Sequence, residues 1–248
     1  MVVAVQDFPL RINNVNVAYD GKDPVIRGIS LDIKAGETFG LVGLNGAGKT
    51  TLIKSILGLR RCQSGSIRVF DKAGADSQGK SQLAYLPERF DPPWFLSGLE
   101  FLEFSLRLYG LSATRDEIFE HAERVALDPA ALRRRVQTYS KGMRQKLGLL
   151  GTIMTRCRLL ILDEPMSGLD PQARSLVKDL LKQGRAQGQT LFLSSHILAD
   201  MEELCDRIAV LHDGGIRFTG SPRELMEKTG AASLERAFLH FIEKRKAA

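Results

Sequence analysis

The segment Gly43-Leu44-Asn45-Gly46-Ala47-Gly48-Lys49-Thr50 restricts the fold more than any other stretch of the chain. Thr38 to Val42, just before it, is a short apolar run that reads as a strand. Lys49 to Leu57, just after it, places Leu52, Ile53, Ile56 and Leu57 on one helical face. Strand, glycine loop and helix in direct succession are the context of a phosphate-binding loop. Glycines let backbone N–H groups point inward around a phosphate, because no Cβ blocks the approach. The helix adds its positive N-terminal end. In such a loop Lys49 is expected on the β- and γ-phosphates and Thr50 on Mg²⁺, with Thr51 beside them.

The run Leu159-Leu160-Ile161-Leu162 is apolar throughout, as in a parallel strand covered on both faces, and it leads into Asp163 and Glu164. With a phosphate loop in the same chain, Asp163 is expected to hold Mg²⁺, directly or through water. Glu164 is placed to polarise an attacking water. Thr190 to Leu193 and Ile208 to Leu211 follow as strands with helical stretches between them. Alternating strand and helix argue for a mostly parallel α/β sheet. Nearer the N-terminus the pattern is half-buried strand. In Arg11 to Ala18, Ile12, Val15 and Val17 alternate, with one break, against Asn13, Asn14 and Asn16. Ile29, Leu31 and Ile33 alternate with Ser30, Asp32 and Lys34, after the turn-rich Asp20-Gly21-Lys22-Asp23-Pro24. Ser66 to Phe70 and Leu83 to Leu86 read as strands, and Asp213-Gly214-Gly215 as a hairpin turn before Ile216 to Thr219.

From about 89 to 155 the pattern turns helical. Phe95, Leu99, Phe101, Leu102, Phe104, Leu106 and Leu108 form one helix-like series, and Glu117 to Ala126 and Gly142 to Met154 form two more. This region is a helical insertion in a domain spanning 10–230. The tail, 231–248, carries Leu234, Ala237, Phe238 and Phe241 at helical spacing, which predicts a docked helix.

Net charge is +6, with dense basic runs only at Arg133-Arg134-Arg135 and Lys244-Arg245-Lys246. Neither run is interleaved with aromatics, so no nucleic-acid partner is expected. Cys62, Cys157 and Cys205 lack metal-ligand spacing and read as reduced thiols. No apolar stretch reaches the roughly 18 residues needed to cross a bilayer, and Met1 to Asp7 lacks a signal peptide's basic start and cleavage site. A cytoplasmic protein is expected.

Tyr139-Ser140-Lys141-Gly142-Met143-Arg144-Gln145 stands shortly before Leu159 to Glu164. That order resembles the ATP-binding cassette (ABC) ATPases, and the resemblance covers almost the whole chain. It implies a P-loop NTPase fold with an N-terminal antiparallel β part and a helical insertion, with ATP and Mg²⁺ as ligands. Ser140, Lys141 and Gly142 would then complete the ATP site of a second copy. Tyr19 would stack on adenine. Asp170, in Ser167-Gly168-Leu169-Asp170, would meet the partner's site, and His196 would reach the γ-phosphate. The implied catalytic set is Lys49, Glu164 and His196; the metal set is Thr50, Asp163 and Glu88.

Two positions depart from the commoner family pattern. Leu86-Pro87-Glu88-Arg89 carries Glu88 where the family usually has Gln. Tyr139 to Met143 replaces Leu-Ser-Gly-Gly-Gln, keeping the serine and the glycine at 140 and 142. Both variants resemble ATPases of ABC-2-type exporters. The implied partners are a second copy, or a paired ATPase subunit, and an integral membrane permease that holds the chain at the inner face of the cell membrane. A rival reading is a soluble ABC ATPase acting on DNA or ribosomes. Against it, only about fifty residues without heptads separate Glu88 from Ser140, and there is a single cassette. An importer subunit is the third reading, and the variants at 88 and 141 argue against it.

Overall fold

The computed structural model describes residues 8–19, 23–74 and 76–243. The segments Met1–Asp7, Asp20–Lys22 and Lys244–Lys246 of the sequence reading lie outside them. In chain order the elements are β1 (Leu10–Ala18), β2 (Pro24–Ile33), β3 (Thr38–Val42), α1 (Lys49–Ile56), β4 (Ser64–Val69), β5 (Lys72–Ala73), α2 (Ser77–Lys80), β6 (Leu83–Leu86), α3 (Gly98–Leu108), α4 (Arg115–Glu123), α5 (Lys141–Ile153), β7 (Leu159–Asp163), α6 (Pro171–Ala186), β8 (Thr190–Ser195), α7 (Leu198–Leu204), β9 (Arg207–His212), β10 (Gly215–Gly220), α8 (Pro222–Thr229) and α9 (Leu234–Glu243). Two 3₁₀ turns, Pro129–Arg133 and Val136–Thr138, precede α5.

Two sheets follow from the two sequence patterns. The alternating strands form an antiparallel sheet of order β2-β1-β4-β5. The break in β1 is a register shift between Ile12 and Val15, where Asn14 takes φ +46 and its N–H donates to Ser30 Oγ at 2.9 Å. β2 begins five residues earlier than the alternation from Ile29 predicts. Gly28 interrupts it at φ +61, with its N–H donating to the Asn16 side-chain oxygen at 2.9 Å, and that hides the first half of the strand from a period-two pattern.

The continuous apolar runs form the second sheet, of order β10-β9-β3-β8-β7-β6. All of its neighbours pair in parallel except β9 with β10. β3, β7 and β8 are buried along their whole lengths, as strands covered on both faces should be. The β9–β10 turn has Asp213 at φ +47 and Gly214 at φ +72, the paired positive values of a two-residue hairpin that follows the strand twist.

Helix α1 fills the space between the sheets. Its Leu52, Ile53 and Ile56 share one apolar cluster with Ile12, Val17 and Ile67 of the antiparallel sheet and with Phe39, Leu41 and Phe192 of the parallel one. Truncating any of these leucines or isoleucines to alanine costs about 2–5 kcal/mol. The opposite face of the parallel sheet, through Leu160, Leu162, Leu191 and Leu193, packs in a second cluster with the insertion and the C-terminal helices, Leu234 and Phe238 included.

The first helix of this region starts later than its apolar series from Phe95 predicts. Ser97 accepts from the Glu100 N–H at 3.2 Å while Glu100 accepts from the Ser97 N–H at 2.7 Å, a capping box that starts α3 at Gly98. Phe95 therefore lies outside the helix. A second capping box, Thr114 with Glu117, starts α4, which ends at Glu123 rather than Ala126; Ala126 sits at φ +52.

Candidate functional site

The functional residues gather at the carboxyl ends of the parallel strands, where an open α/β sheet leaves a crevice. A groove of about 470 Å³ is lined by Tyr19, Val25, Leu44, Asn45, Gly46, Gly48, Lys49, Thr50, Thr51, Glu88 and Glu164. The loop Gly43 to Gly48 leaves β3 and enters α1. A Cβ at Gly43 would lie 2.6 Å from the Leu211 carbonyl oxygen, and one at Gly48 would lie 2.8 Å from Ile26 Cδ1. Gly48 also takes φ +109, so the entry to the helix demands glycine on two counts. Ala47 donates its N–H to the Leu44 carbonyl at 3.1 Å and closes the turn.

Lys49 is buried, and its ammonium donates back to the loop carbonyls of Gly43 at 2.8 Å and Leu44 at 3.4 Å. The Thr50 hydroxyl donates to Asp163 Oδ2 at 3.2 Å, and Ser194 Oγ donates to Asp163 Oδ1. Burial raises the Asp163 carboxyl above its usual range, and the nearby Glu88 charge adds to the rise. The Ser194 and Thr50 hydroxyls and the Lys49 charge oppose it. Among the described residues no three of His, Cys, Asp and Glu converge on one point. What the protein offers a cation is the Thr50 hydroxyl and Glu88, which line the groove, and the Asp163 carboxylate, buried behind Thr50. Two hard oxygens beside a phosphate site fit Mg²⁺, which keeps several waters and takes the rest of its shell from phosphate.

Glu164 is fixed more tightly than a turn residue. Its N–H donates to the Ser194 carbonyl at 3.0 Å, and its backbone takes φ +50, a conformation costing an L-residue about 1–2 kcal/mol. Its Oε2 accepts from Ser195 Oγ at 3.2 Å and lies 2.8 Å from His196 Nδ1. The His196 side chain is 56% exposed, so the far side of its ring is open.

The signature residues stand apart from this groove. None of Ser140, Lys141 and Gly142 lines it. Ser140 caps α5 by accepting from the Met143 N–H at 3.2 Å, and both Ser140 and Lys141 are exposed. A Cβ at Gly142 would come within 3.0 Å of the Gly168 carbonyl, so this tip packs on the Ser167–Asp170 loop. Asp170 caps α6 by accepting from the Ala173 N–H at 2.9 Å, and that bond, followed by Lys146, holds its carboxyl below the usual range. Tyr19 meets the Thr51 hydroxyl at 3.2 Å.

Several site residues escaped sequence reasoning. Ser194 and Ser195 directly precede His196, and their adjacency to it was the available signal. Gln145 is buried on α5 and donates to the carbonyls of Glu164 at 3.3 Å and Pro165 at 3.0 Å. Tyr85, whose hydroxyl is pushed up by burial and by the charges of Asp163 and Glu88, also borders the site. Gln145 closes the signature stretch Tyr139 to Gln145, which marks the loop but not this support role, and Tyr85 belongs to no pattern that marks it.

Such a loop after β3, with His196 following the neighbouring β8 and Asp163 and Glu164 at the end of β7 one strand further, is the arrangement of a phosphate-loop nucleoside-triphosphate site. The comparisons with known proteins narrow the class. A family model described as ABC transporter matches residues 26–167. The chain is 40% identical over 204 residues to the uncharacterized ABC transporter ATP-binding protein sll0415 of Synechocystis sp.; the match takes in 81% of this chain and 58% of that protein's length. It is 37% identical over 223 residues to the fluoroquinolones export ATP-binding protein Rv2688c of Mycobacterium tuberculosis, taking in 87% of this chain and 72% of that one. A solved structure of the ATP binding subunit of an ABC transporter superposes with a TM-score of 0.87 at 30% identity, covering 94% of this chain and 99% of the other. The chain belongs to the ABC transporter ATP-binding proteins, and it spans about three fifths of the length of the first of these relatives.

Proposed function

We propose that this chain is the ATP-hydrolysing subunit of an exporter, closing head to tail with a second copy or a paired subunit around two ATP molecules. The observation that carries the reading is the meeting of Lys49, Thr50, Asp163, Glu164 and His196 at one sheet end while none of Ser140 to Gly142 lines that groove. A site built this way lacks one wall, and the signature of a second chain supplies it.

On binding ATP, Lys49 exchanges the Gly43 and Leu44 carbonyls for phosphate oxygens. Thr50 and Asp163 would hold Mg²⁺, which when bound would supply positive charge against the phosphates. Glu164 takes the proton of the attacking water, with Ser195 and His196 fixing which oxygen faces it. His196 offers its exposed ring edge to the γ-phosphate. Tyr19 receives the adenine.

Among the described residues no helix is long and apolar enough to cross a membrane; on this reading closure acts on a separate permease. The surface after Glu88 suits that contact. Trp94, Phe95, Phe104 and Leu108 are exposed there, beside a cavity of about 140 Å³ bordered by Phe90, Phe101 and Gly148. Exposed apolar area of this kind marks a docking face. The export direction rests on Glu88 and Lys141 and on the likeness to Rv2688c.

The test is a pair of inactive chains. Ser140→Arg spoils the signature and Lys49→Ala spoils the phosphate loop. Each alone should hydrolyse no ATP, and their mixture should regain turnover through the one composite site that is intact in a mixed dimer. A mixture as inactive as its parts would refute the shared site.

A further inference from the structure

Helix α1 carries the phosphate contacts at its start and a second device at its end. After Leu57 the chain reverses through Gly58 at φ +69, and the N–H groups of Leu59 and Arg60 both donate to the Lys54 carbonyl, at 2.8 and 3.1 Å. This reversal lays the Arg60 guanidinium over the Tyr19 ring, 4.0 Å from its centroid. Thr51, in the first turn of the same helix, meets the Tyr19 hydroxyl. The ring is thus held at its hydroxyl by Thr51 of α1 and on one face by Arg60 of the reversal that follows α1. Tyr19 and Thr51 line the nucleotide groove, whereas Arg60 does not. Arg60 thus covers one face of the ring without itself lining the groove. The hydroxyl's pKa is drawn below its ordinary value, first by the Thr51 bond and then by Arg60, in keeping with both contacts acting on one ring.

We propose that Arg60 is a positioning residue for the base of the nucleotide, holding Tyr19 as a fixed platform in a guanidinium–phenol–purine stack. The inference rests on the nucleotide reading above. Tyr19 follows the last residue of β1 and is 37% exposed, so the ring has room to swing. A planar guanidinium against one face removes that freedom before the base arrives, and binding to a preorganised surface forfeits less entropy. A lysine would supply the charge without the flat contact.

The test compares ligands with and without a base. In titrations of the full chain, Arg60→Ala should weaken Mg-ATP roughly three- to tenfold. Inorganic tripolyphosphate, which lacks the base, should bind the variant and the unaltered chain alike, and this also shows that the phosphate loop is intact. Arg60→Lys should restore part of the loss. In a Tyr19→Ala background, Arg60→Ala should cost nothing further. An equal loss for ATP and tripolyphosphate would make Arg60 a phosphate-directed charge and overturn the proposal. So would unchanged ATP affinity, or a full additional loss in the Tyr19→Ala background. An unaltered chain that takes neither ligand would instead overturn the nucleotide reading, and this inference with it.

Discussion

Glu164→Gln separates chemistry from architecture at the centre of the site. The side chain is buried, and its Oε2 contacts the Ser195 hydroxyl at 3.2 Å and His196 Nδ1 at 2.8 Å. A glutamine has the same length, and its amide oxygen still accepts from Ser195. The backbone position, pinned by the Ser194 carbonyl at 3.0 Å, is unaffected. What disappears is the negative charge and the capacity to take a proton from water. Losses of this type are worth about 10²-fold or more in rate, near 2.7 kcal/mol of barrier. ATP affinity should stay within about twofold, because the residues assigned to the phosphates and metal, Lys49, Thr50 and Asp163, are untouched. The closed dimer should accumulate with Mg-ATP, since the step that reopens it is slowed. Steady-state phosphate release, nucleotide titration and size-exclusion chromatography with Mg-ATP read the three quantities. Glu164→Gly is the control for fold. It relieves the φ +50 strain, worth about 1–2 kcal/mol, and leaves the buried Ser195 hydroxyl without its acceptor, worth about 1–3 kcal/mol, so the net change in stability should stay within about 2 kcal/mol. Phosphate release by Glu164→Gln within twofold of the parent would refute the role assigned to this carboxylate.

Three more outcomes follow from the geometry. Tyr139→Phe leaves the Ala131 carbonyl without the hydroxyl that donates to it at 2.7 Å in a buried setting, so denaturant unfolding should show a loss of about 1–3 kcal/mol. Burial pushes the Tyr139 hydroxyl up to about 12 from 10.0. The folded state keeps its proton where the unfolded state loses one, so this residue's contribution is full below pH 10 and is lost as pH rises towards 12; the phenylalanine variant should lack that alkaline slope. Gly148→Ala sets a Cβ 2.7 Å from Leu86 Cδ1 and 2.8 Å from Phe90 Cδ1, so these side chains must shift, and thermal melts should report about 1–3 kcal/mol lost. Mg-ATP should change the fluorescence of Trp94, the one Trp in the sequence, and Glu88→Ala should reduce that change while Glu88→Gln does so less; an identical response in all three chains would mean that Glu88 does not transmit the nucleotide's presence.

The fold was most legible where one residue type does one job. Leu159 to Leu162 is apolar because both faces of β7 are covered, so its pattern announces a central strand. Asp213-Gly214 announces its turn because both residues must take positive φ. Legibility failed where a side chain outside the period decides the outcome. Phe95 continues the apolar series of α3, yet Ser97 and Glu100 decide where the helix begins. Gly28 breaks the alternation of β2 without ending the strand, because Asn16 on the neighbouring strand satisfies its N–H.

The site divides along the same line. Gly43 to Thr50 is contiguous because a phosphate must be surrounded by consecutive backbone N–H groups, and a contiguous requirement leaves a contiguous trace. The supports come from anywhere in the chain. Gln145 reaches Glu164 and Pro165 across nineteen and twenty residues, Ser194 reaches Asp163 across thirty-one, and Thr51 reaches Tyr19 across thirty-two. Each needs only a hydrogen-bonding or planar side chain at the right point in space, and such residues are common on any helix or strand end. Their roles appear only when the sheet has brought β1, β7 and β8 beside α1 and α5. A sequence thus displays the groups that meet the ligand, and it conceals the groups that hold them still.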